Sequence, residues 1–230
     1  MTIAENVARV RARMEAAAIR AGRDPAKVRL VAVSKTVDPE RIGQAIEAGV
    51  DMLGENYVQE AQKKIEAMER KVNWHFIGHL QSNKAKAAAR LFDWVHSVDS
   101  LKLAEELSRA AILQNKVLPV LIQVNLGQEQ TKSGAKGEEV FRLLERMASL
   151  PGISVRGLMT MPPFFENPED SRPYFRALRM LGEEISRRQV PGAHLEELSM
   201  GMSNDFEIAI EEGATLVRVG TAIFGPRPSK

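Results

Sequence analysis

The sequence predicts an α/β fold, a (β/α)8 TIM barrel with an additional N-terminal helix, and three observations carry that expectation. About eight short apolar runs alternate with helix-patterned segments, the number of units a closed barrel needs. The turn after the first run reads "SKTVDPE" and lacks the glycines of a dinucleotide-binding open sheet, and no Walker-type phosphate loop occurs anywhere. Polar side chains recur at the C-terminal ends of the runs, the face where barrels place their chemistry.

In chain order, Ile3, Val7, Val10, Met14 and Ala17 alternate spacings of four and three, which predicts a helix within residues 1–22 packed on the outside of the barrel. Strands are expected at 28–33 ("VRLVAV"), 50–55 ("VDMLGE"), 73–78 ("NWHFIG"), 93–98 ("DWVHSV"), 117–125 ("VLPVLIQVN"), 153–160 ("ISVRGLMT"), 194–199 ("HLEELS") and 215–220 ("TLVRVG"). Asp38-Pro39-Glu40 offers an N-cap, a proline at the first helical position and an acid in the first turn. Asp99-Ser100 and Asn204-Asp205 supply further caps. Pro162, Pro163, Pro168 and Pro173 forbid a continuous helix after the sixth strand, so "MPPFFENPEDSRPYF" is either a rim loop over a site or a stiff connection. No linker or composition break divides the chain, so residues 1–230 are expected to form a single domain with its barrel over 28–225.

Composition narrows the function. Of 230 residues 44% are hydrophobic and 27% charged, ordinary for a globular protein with a substantial core. The 32 basic and 30 acidic residues are interspersed and leave a net charge of +2, so nucleic acid is a poor default partner. Without cysteine there is no disulfide, thiolate nucleophile or cysteine metal site, and a cytoplasmic location is the economical expectation. The N-terminus lacks the apolar core of a signal peptide, and no run is long enough to cross a membrane.

The strand ends deliver Ser34 and Lys35, Glu55 and Asn56, His79, Ser97 and Asp99, Asn125, Thr160, Ser199 and Ser203, and finally Arg218, Gly220 and Thr221. Lys35 shares strand parity with Val31 and Val33, so if those line the barrel interior its side chain projects into the mouth. It is a solvated strand end or an amine held for Schiff-base chemistry, which apolar walls and a nearby guanidinium favour. Arg218 interrupts an apolar strand and must have a partner, either a core carboxylate or a ligand. Gly220 permits close backbone approach, and Ser199, Ser203 and Asn204 precede a helix start, where they cap it or hold an anion. Together, the loops after strands seven and eight are the usual phosphate site of a barrel.

His75 and His79 have the spacing of a helical zinc pair but fall on a strand without an intervening glutamate, so no metal site is expected. His96 and His194 read as structural, and His79 is a candidate for the mouth. Lys132, Ser133 and Gly134 form a basic turn that either touches an anionic ligand or is simply solvated.

The motifs "VAVSKT", "LGENYVQE", "WHFIGHLQSNK", "HSVDS", "GLMTM", "LSMGMSNDF" and "VRVGTAIFG" run in order from about residue 28 to residue 225. Through them the sequence resembles the pyridoxal phosphate (PLP) homeostasis protein family, single-domain PLP-binding barrels like the N-terminal domain of alanine racemase (PLP fold type III). The resemblance implies that Lys35 holds PLP as a lysine aldimine and that Arg218 faces the pyridine nitrogen. It further implies that Ser203, Gly220 and Thr221 bind the phosphate with Ser199 supporting that loop, and that Asn56 and His79 lie near the ring. It also implies a monomer with no substantial turnover that buffers or supplies PLP, with PLP-requiring apo-enzymes as possible recipients.

Arginine does not release its proton, so opposite the pyridine nitrogen it weakens the cofactor's electron sink. Racemases of this type usually add a tyrosine from a separate β domain of a partner subunit, a domain this sequence, which reaches Lys230 just after its eighth strand, is not expected to supply; Tyr57 and Tyr174 are the tyrosines present, and neither is on a strand end. Two alternatives stay open at the level of sequence. One is a racemase-like PLP enzyme acting on amino acids, and the other is a barrel enzyme using Lys35 as a Schiff-base amine on a sugar phosphate.

Overall fold

The structure, a computed structural model, describes residues 1–68, 72–127, 134–135, 138–190 and 195–226. Helix α1 (Ile3–Arg20) leads into strand β1 (Arg29–Val33), α2 (Pro39–Glu47), β2 (Met52–Glu55), α3 (Val58–Ala67) and β3 (Asn73–Phe76). There follow α4 (Ala85–Leu91), β4 (Trp94–Val98), α5 (Leu101–Ile112), β5 (Leu118–Gln123), α6 (Glu138–Ala148) and β6 (Ile153–Met159). The chain continues through α7 (Arg172–Arg188), β7 (Glu197–Ser199), α8 (Phe206–Glu211), β8 (Leu216–Val219) and α9 (Thr221–Phe224). The eight strands pair in parallel and in sequence order, and β8 closes on β1 with Val31 opposite Arg218, the (β/α)8 barrel expected from the alternating runs.

The local signals explain the elements. In α1 the five periodic residues are buried, and Thr2 and Glu5 form a capping box at its start. The helix lies outside the barrel against α8 and α9, tied by an Arg13–Glu207 ion pair at 2.7 Å and by Asn6 Nδ2 donating to Ile223 O at 2.8 Å. Asp38 caps α2 through the Arg41 N–H, with Pro39 in the first turn. Ser100 and Asp205 occupy the N-cap positions of α5 and α8 but make no side-chain cap bond.

All eight expected strands run one to three residues too long. The third ends at Phe76, with Ile77 on the wall of the mouth, and the seventh is cut to Glu197–Ser199. His194, Lys132 and Ser133 lie outside the described residues.

Two apolar layers result. The larger core lies between the sheet and the helices, while Val31, Leu121, Met159 and Leu216 form a second cluster inside the barrel, flanked by Met52 and Trp94. Gly54 also faces inward: a Cβ there would sit 2.9 Å from Ile77 Cδ1 and 3.0 Å from Val31 Cγ1. The strand parity that places Val31 inside therefore sends Val33 and Lys35 toward the mouth.

Candidate functional site at the barrel mouth

At the C-terminal end of the barrel lies a cavity of about 240 Å³ lined by Val33, Lys35, Asn56, Ile77, Met161, Phe164, Phe165, Met202, Ser203, Asn204, Asp205, Arg218, Gly220 and Thr221. Its size falls just below the ~300 Å³ at which small-molecule sites usually begin, which suits a ligand of one ring. Lys35 enters from the loop after β1, Asn56 from the end of β2, and Arg218 from inside β8.

Arg218 is 3% exposed and its partners are neutral. Its Nη1 donates to Ser199 Oγ at 2.6 Å and its Nη2 to the Thr160 carbonyl at 2.9 Å, where a core carboxylate was the structural alternative. Burial pushes its pKa down to about 10, partly opposed by the charge of Asp205, so it stays cationic at neutral pH. Ser199 is wholly buried beneath the guanidinium rather than on the cavity wall, so its hydroxyl orients Arg218 instead of the loop that follows β7.

A polar chain continues inward from Ser199. His96 Nδ1 lies 3.0 Å from Ser199 Oγ, and His96 Nε2 lies 2.9 Å from His75 Nδ1, with His75 stacked on Trp94 at 5.8 Å. Arginine can only donate, so a consistent proton assignment has Ser199 accept from Arg218 and give its hydrogen to His96 Nδ1. His96 then donates from Nε2 to His75, whose own Nε2 is buried without a partner among the described residues. Burial drives the pKa of His75 down to about 3 and that of His96 well below its ordinary value, with nearby positive charge adding to the shift, so both are neutral. His96, read from sequence as structural, thus belongs to the support of Arg218. No periodicity marks it, because its partner lies 103 positions away.

The loops after β7 and β8 meet at Ser203. Its Oγ accepts the N–H groups of Gly220 at 3.2 Å and Ala222 at 3.3 Å, rather than capping α8. Asp205 Oδ1 accepts the Met202 N–H at 2.7 Å, and Asp205 Oδ2 accepts from the Ser171 hydroxyl at 3.1 Å. Gly201 turns this loop at φ +90°, with a position for Cβ only 2.9 Å from Phe206 Cα. Accepting from both amides, the Ser203 hydroxyl keeps its own hydrogen to donate, and on the cavity wall beside the buried guanidinium it suits an anion.

Asn56 is held by close packing. A Cβ on Gly78 would lie 2.4 Å from Asn56 O, so only glycine lets the segment after β3 approach it. Asn56 lines the cavity, and its Oδ1 is buried without a hydrogen-bond partner among the described residues, which leaves an acceptor unspent there. The proline-rich segment after β6 is a rim: Met161, Phe164 and Phe165 line the cavity, and Asn204 Nδ2 holds Phe165 O at 3.2 Å. Their apolarity was visible in the sequence, but their position was not, since it depends on how the loop folds back.

His79 is not brought to the cavity. It lies outside, its side chain 59% exposed and its Nδ1 3.8 Å from Asp99 Oδ2. Tyr57 and Tyr174 are likewise absent from the lining; Tyr57 starts α3 and is exposed, and Tyr174 packs on Phe165 at 5.7 Å. Among the described residues no three His, Asp or Glu side chains gather as a metal site, and no helix is long and apolar enough to cross a membrane.

Residues 2–228 match the family model described as alanine racemase, N-terminal domain. The pyridoxal phosphate homeostasis protein of Aquifex aeolicus (strain VF5) is 48% identical over 228 residues, covering 99% of both chains. The protein of the same name from Escherichia coli (strain K12) is 42% identical over 230 residues, covering 98% of this chain and 97% of that one. The structure of PipY from Synechococcus elongatus PCC7942 with PLP bound superimposes with a TM-score of 0.86 at 37% identity, covering 97% of this chain and all of PipY.

Proposed function

The chain belongs to the pyridoxal phosphate homeostasis protein family, and from that premise we propose that it holds pyridoxal 5′-phosphate at its barrel mouth, buffering or supplying the cofactor in intracellular vitamin B6 balance without substantial turnover. One observation carries the reading: an amine, a buried guanidinium and a hydroxyl-and-amide anion site share one small apolar-walled cavity.

The residues present fit the cofactor. Lys35 would be its covalent anchor, Arg218 would face the pyridine nitrogen, and Ser203, Gly220 and Thr221, with the Ala222 N–H, would hold the phosphate. Asn56 would lie beside the ring or its phenolic oxygen, and Ser199 would act through Arg218. Bound there, PLP supplies an aldehyde that condenses reversibly with an amine. Arg218 keeps its proton, so facing the pyridine nitrogen it would leave that nitrogen unprotonated and handicap carbanion chemistry. Neither tyrosine of the chain reaches the cavity to act as a second acid or base. These features support a holder of PLP rather than an amino-acid enzyme.

We read residues 1–230 as one domain that works as a cytoplasmic monomer and passes PLP to apo-enzymes that require it; the cysteine-free, charge-balanced sequence is consistent with that setting. Titrating PLP into the protein tests the reading. A visible band of lysine-bound PLP that Lys35→Ala abolishes is expected, and an unchanged spectrum in that variant would sink the assignment. Rapid α-hydrogen exchange of an amino acid in deuterated water would overturn the non-enzymatic part.

A further inference from the structure

The loop bearing Lys35 is held by a buried ion network that does not touch the cavity. Lys64, on α3 and 7% exposed, spends its three donors on the Ser34 carbonyl at 2.6 Å, Glu55 Oε1 at 2.8 Å and Glu60 Oε1 at 2.6 Å. Glu55, fully buried at the end of β2, also accepts from the Ser34 hydroxyl at 2.7 Å. Glu60 Oε1 accepts the Thr36 N–H at 2.5 Å.

The two backbone groups in this network flank Lys35 on either side: the carbonyl of Ser34 before it and the amide of Thr36 after it. Thr36 sits at φ +62°, a left-handed conformation that a β-branched residue rarely adopts and that persists only when its surroundings impose it. The β1–β2 ladder fixes Ser34 through its N–H to Gly54 O at 3.0 Å, and the Val37 N–H closes a turn around Lys35 and Thr36 by donating to Ser34 O at 3.0 Å; the bonds from Lys64 and Glu60 brace that turn from α3. Turn and braces together hold the backbone torsions on which the direction of the Lys35 side chain depends.

We propose that Glu60 and Lys64 are positioning residues for Lys35, clamping the peptides on both sides of it so that its amine is presented to the cavity in one orientation. The part that concerns PLP rests on the function proposed above. The clamp is built from an i, i+4 pair on α3, and Glu60 sits at its outer end with a side chain 26% exposed, so it can be removed with little cost to the core.

The test compares the wild type with Glu60→Ala, which removes the acceptor of the Thr36 N–H, and Glu60→Gln, which retains one. Lys64→Met is a second, harsher variant. Three readouts are taken on folded protein: hydrogen exchange at the Thr36 amide without cofactor, labelling of Lys35 by trinitrobenzenesulfonate against pH, and the apparent PLP dissociation constant. Glu60→Ala is expected to speed Thr36 exchange at least tenfold, shift the pH profile of Lys35 labelling, and weaken PLP about tenfold, with Glu60→Gln restoring most of each. Faster Thr36 exchange with an unchanged Lys35 profile would overturn the proposal and leave the network a purely structural one. If the wild type takes no PLP, the functional reading fails, and the Lys35 labelling profile alone still decides whether the clamp positions the amine.

Discussion

Arg218 Nη1 donates to Ser199 Oγ at 2.6 Å, so the guanidinium that lines the cavity is aimed by a hydroxyl and keeps its full charge. Ser199→Ala removes a buried acceptor and leaves an N–H of a charged group unpaired, at a cost of about 1–3 kcal/mol. Urea unfolding should register that loss, and PLP titration of the folded variant should show weaker binding. Unaltered stability and affinity would mean that Arg218 finds another partner and that Ser199 does not orient it.

The neutral pair His75 and His96 makes the fold acid-sensitive. Both folded values lie below the unfolded imidazole value of ~6.5, so the unfolded chain binds more protons below that pH. Their contribution is therefore fully present above pH ~6.5 and is lost as the pH falls toward the folded value of about 3 for His75. Each extra proton contributes up to ~1.4 kcal/mol per pH unit across that window. Denaturant unfolding from pH 7.5 to 4.5 should show this slope, flattened by about one proton in His75→Phe. An equal slope in both proteins contradicts the assignment.

Ser203 Oγ accepts from the Gly220 and Ala222 N–H groups and so keeps its own hydrogen to donate, and Ser203→Ala, which removes that donor, should weaken the site for the phosphate more than for the ring. PLP affinity should fall about tenfold, ~1.4 kcal/mol, and the preference for PLP over pyridoxal should narrow. Parallel losses for both ligands would place the phosphate elsewhere.

Gly78→Ala would put a Cβ 2.4 Å from Asn56 O and 2.7 Å from Asn56 Cα, both backbone atoms without a flexible side chain to yield. The expected cost is about 1–3 kcal/mol, read as a lower Tm, with weaker PLP binding because Asn56 must move. A wild-type Tm would show that the segment after β3 relaxes freely.

Much of this was legible in the sequence, and the remainder has a common physical cause. Strand order follows from alternating runs, and Lys35, Asn56, Ser203, Arg218, Gly220 and Thr221 meet because a closed parallel barrel brings all its strand ends to one rim. His79 has the same strand-end credentials, yet the loop after β3 carries it outward, a difference of a few torsions that no spacing encodes. The His75–His96–Ser199 chain was invisible because its members face inward on β3, β4 and β7, where registry between distant strands decides contact. Glu60 and Lys64 did show a signal, their i, i+4 spacing, but that pattern usually marks a solvated helix face. What it could not convey is that this face turns toward the loop carrying Lys35.

The most direct measurement is borohydride reduction of the PLP-treated protein followed by peptide mass mapping. One phosphopyridoxyl label on the peptide containing Lys35, lost in Lys35→Ala, is the result the site predicts. Labels spread over several surface lysines, the same in wild type and Lys35→Ala, would contradict it.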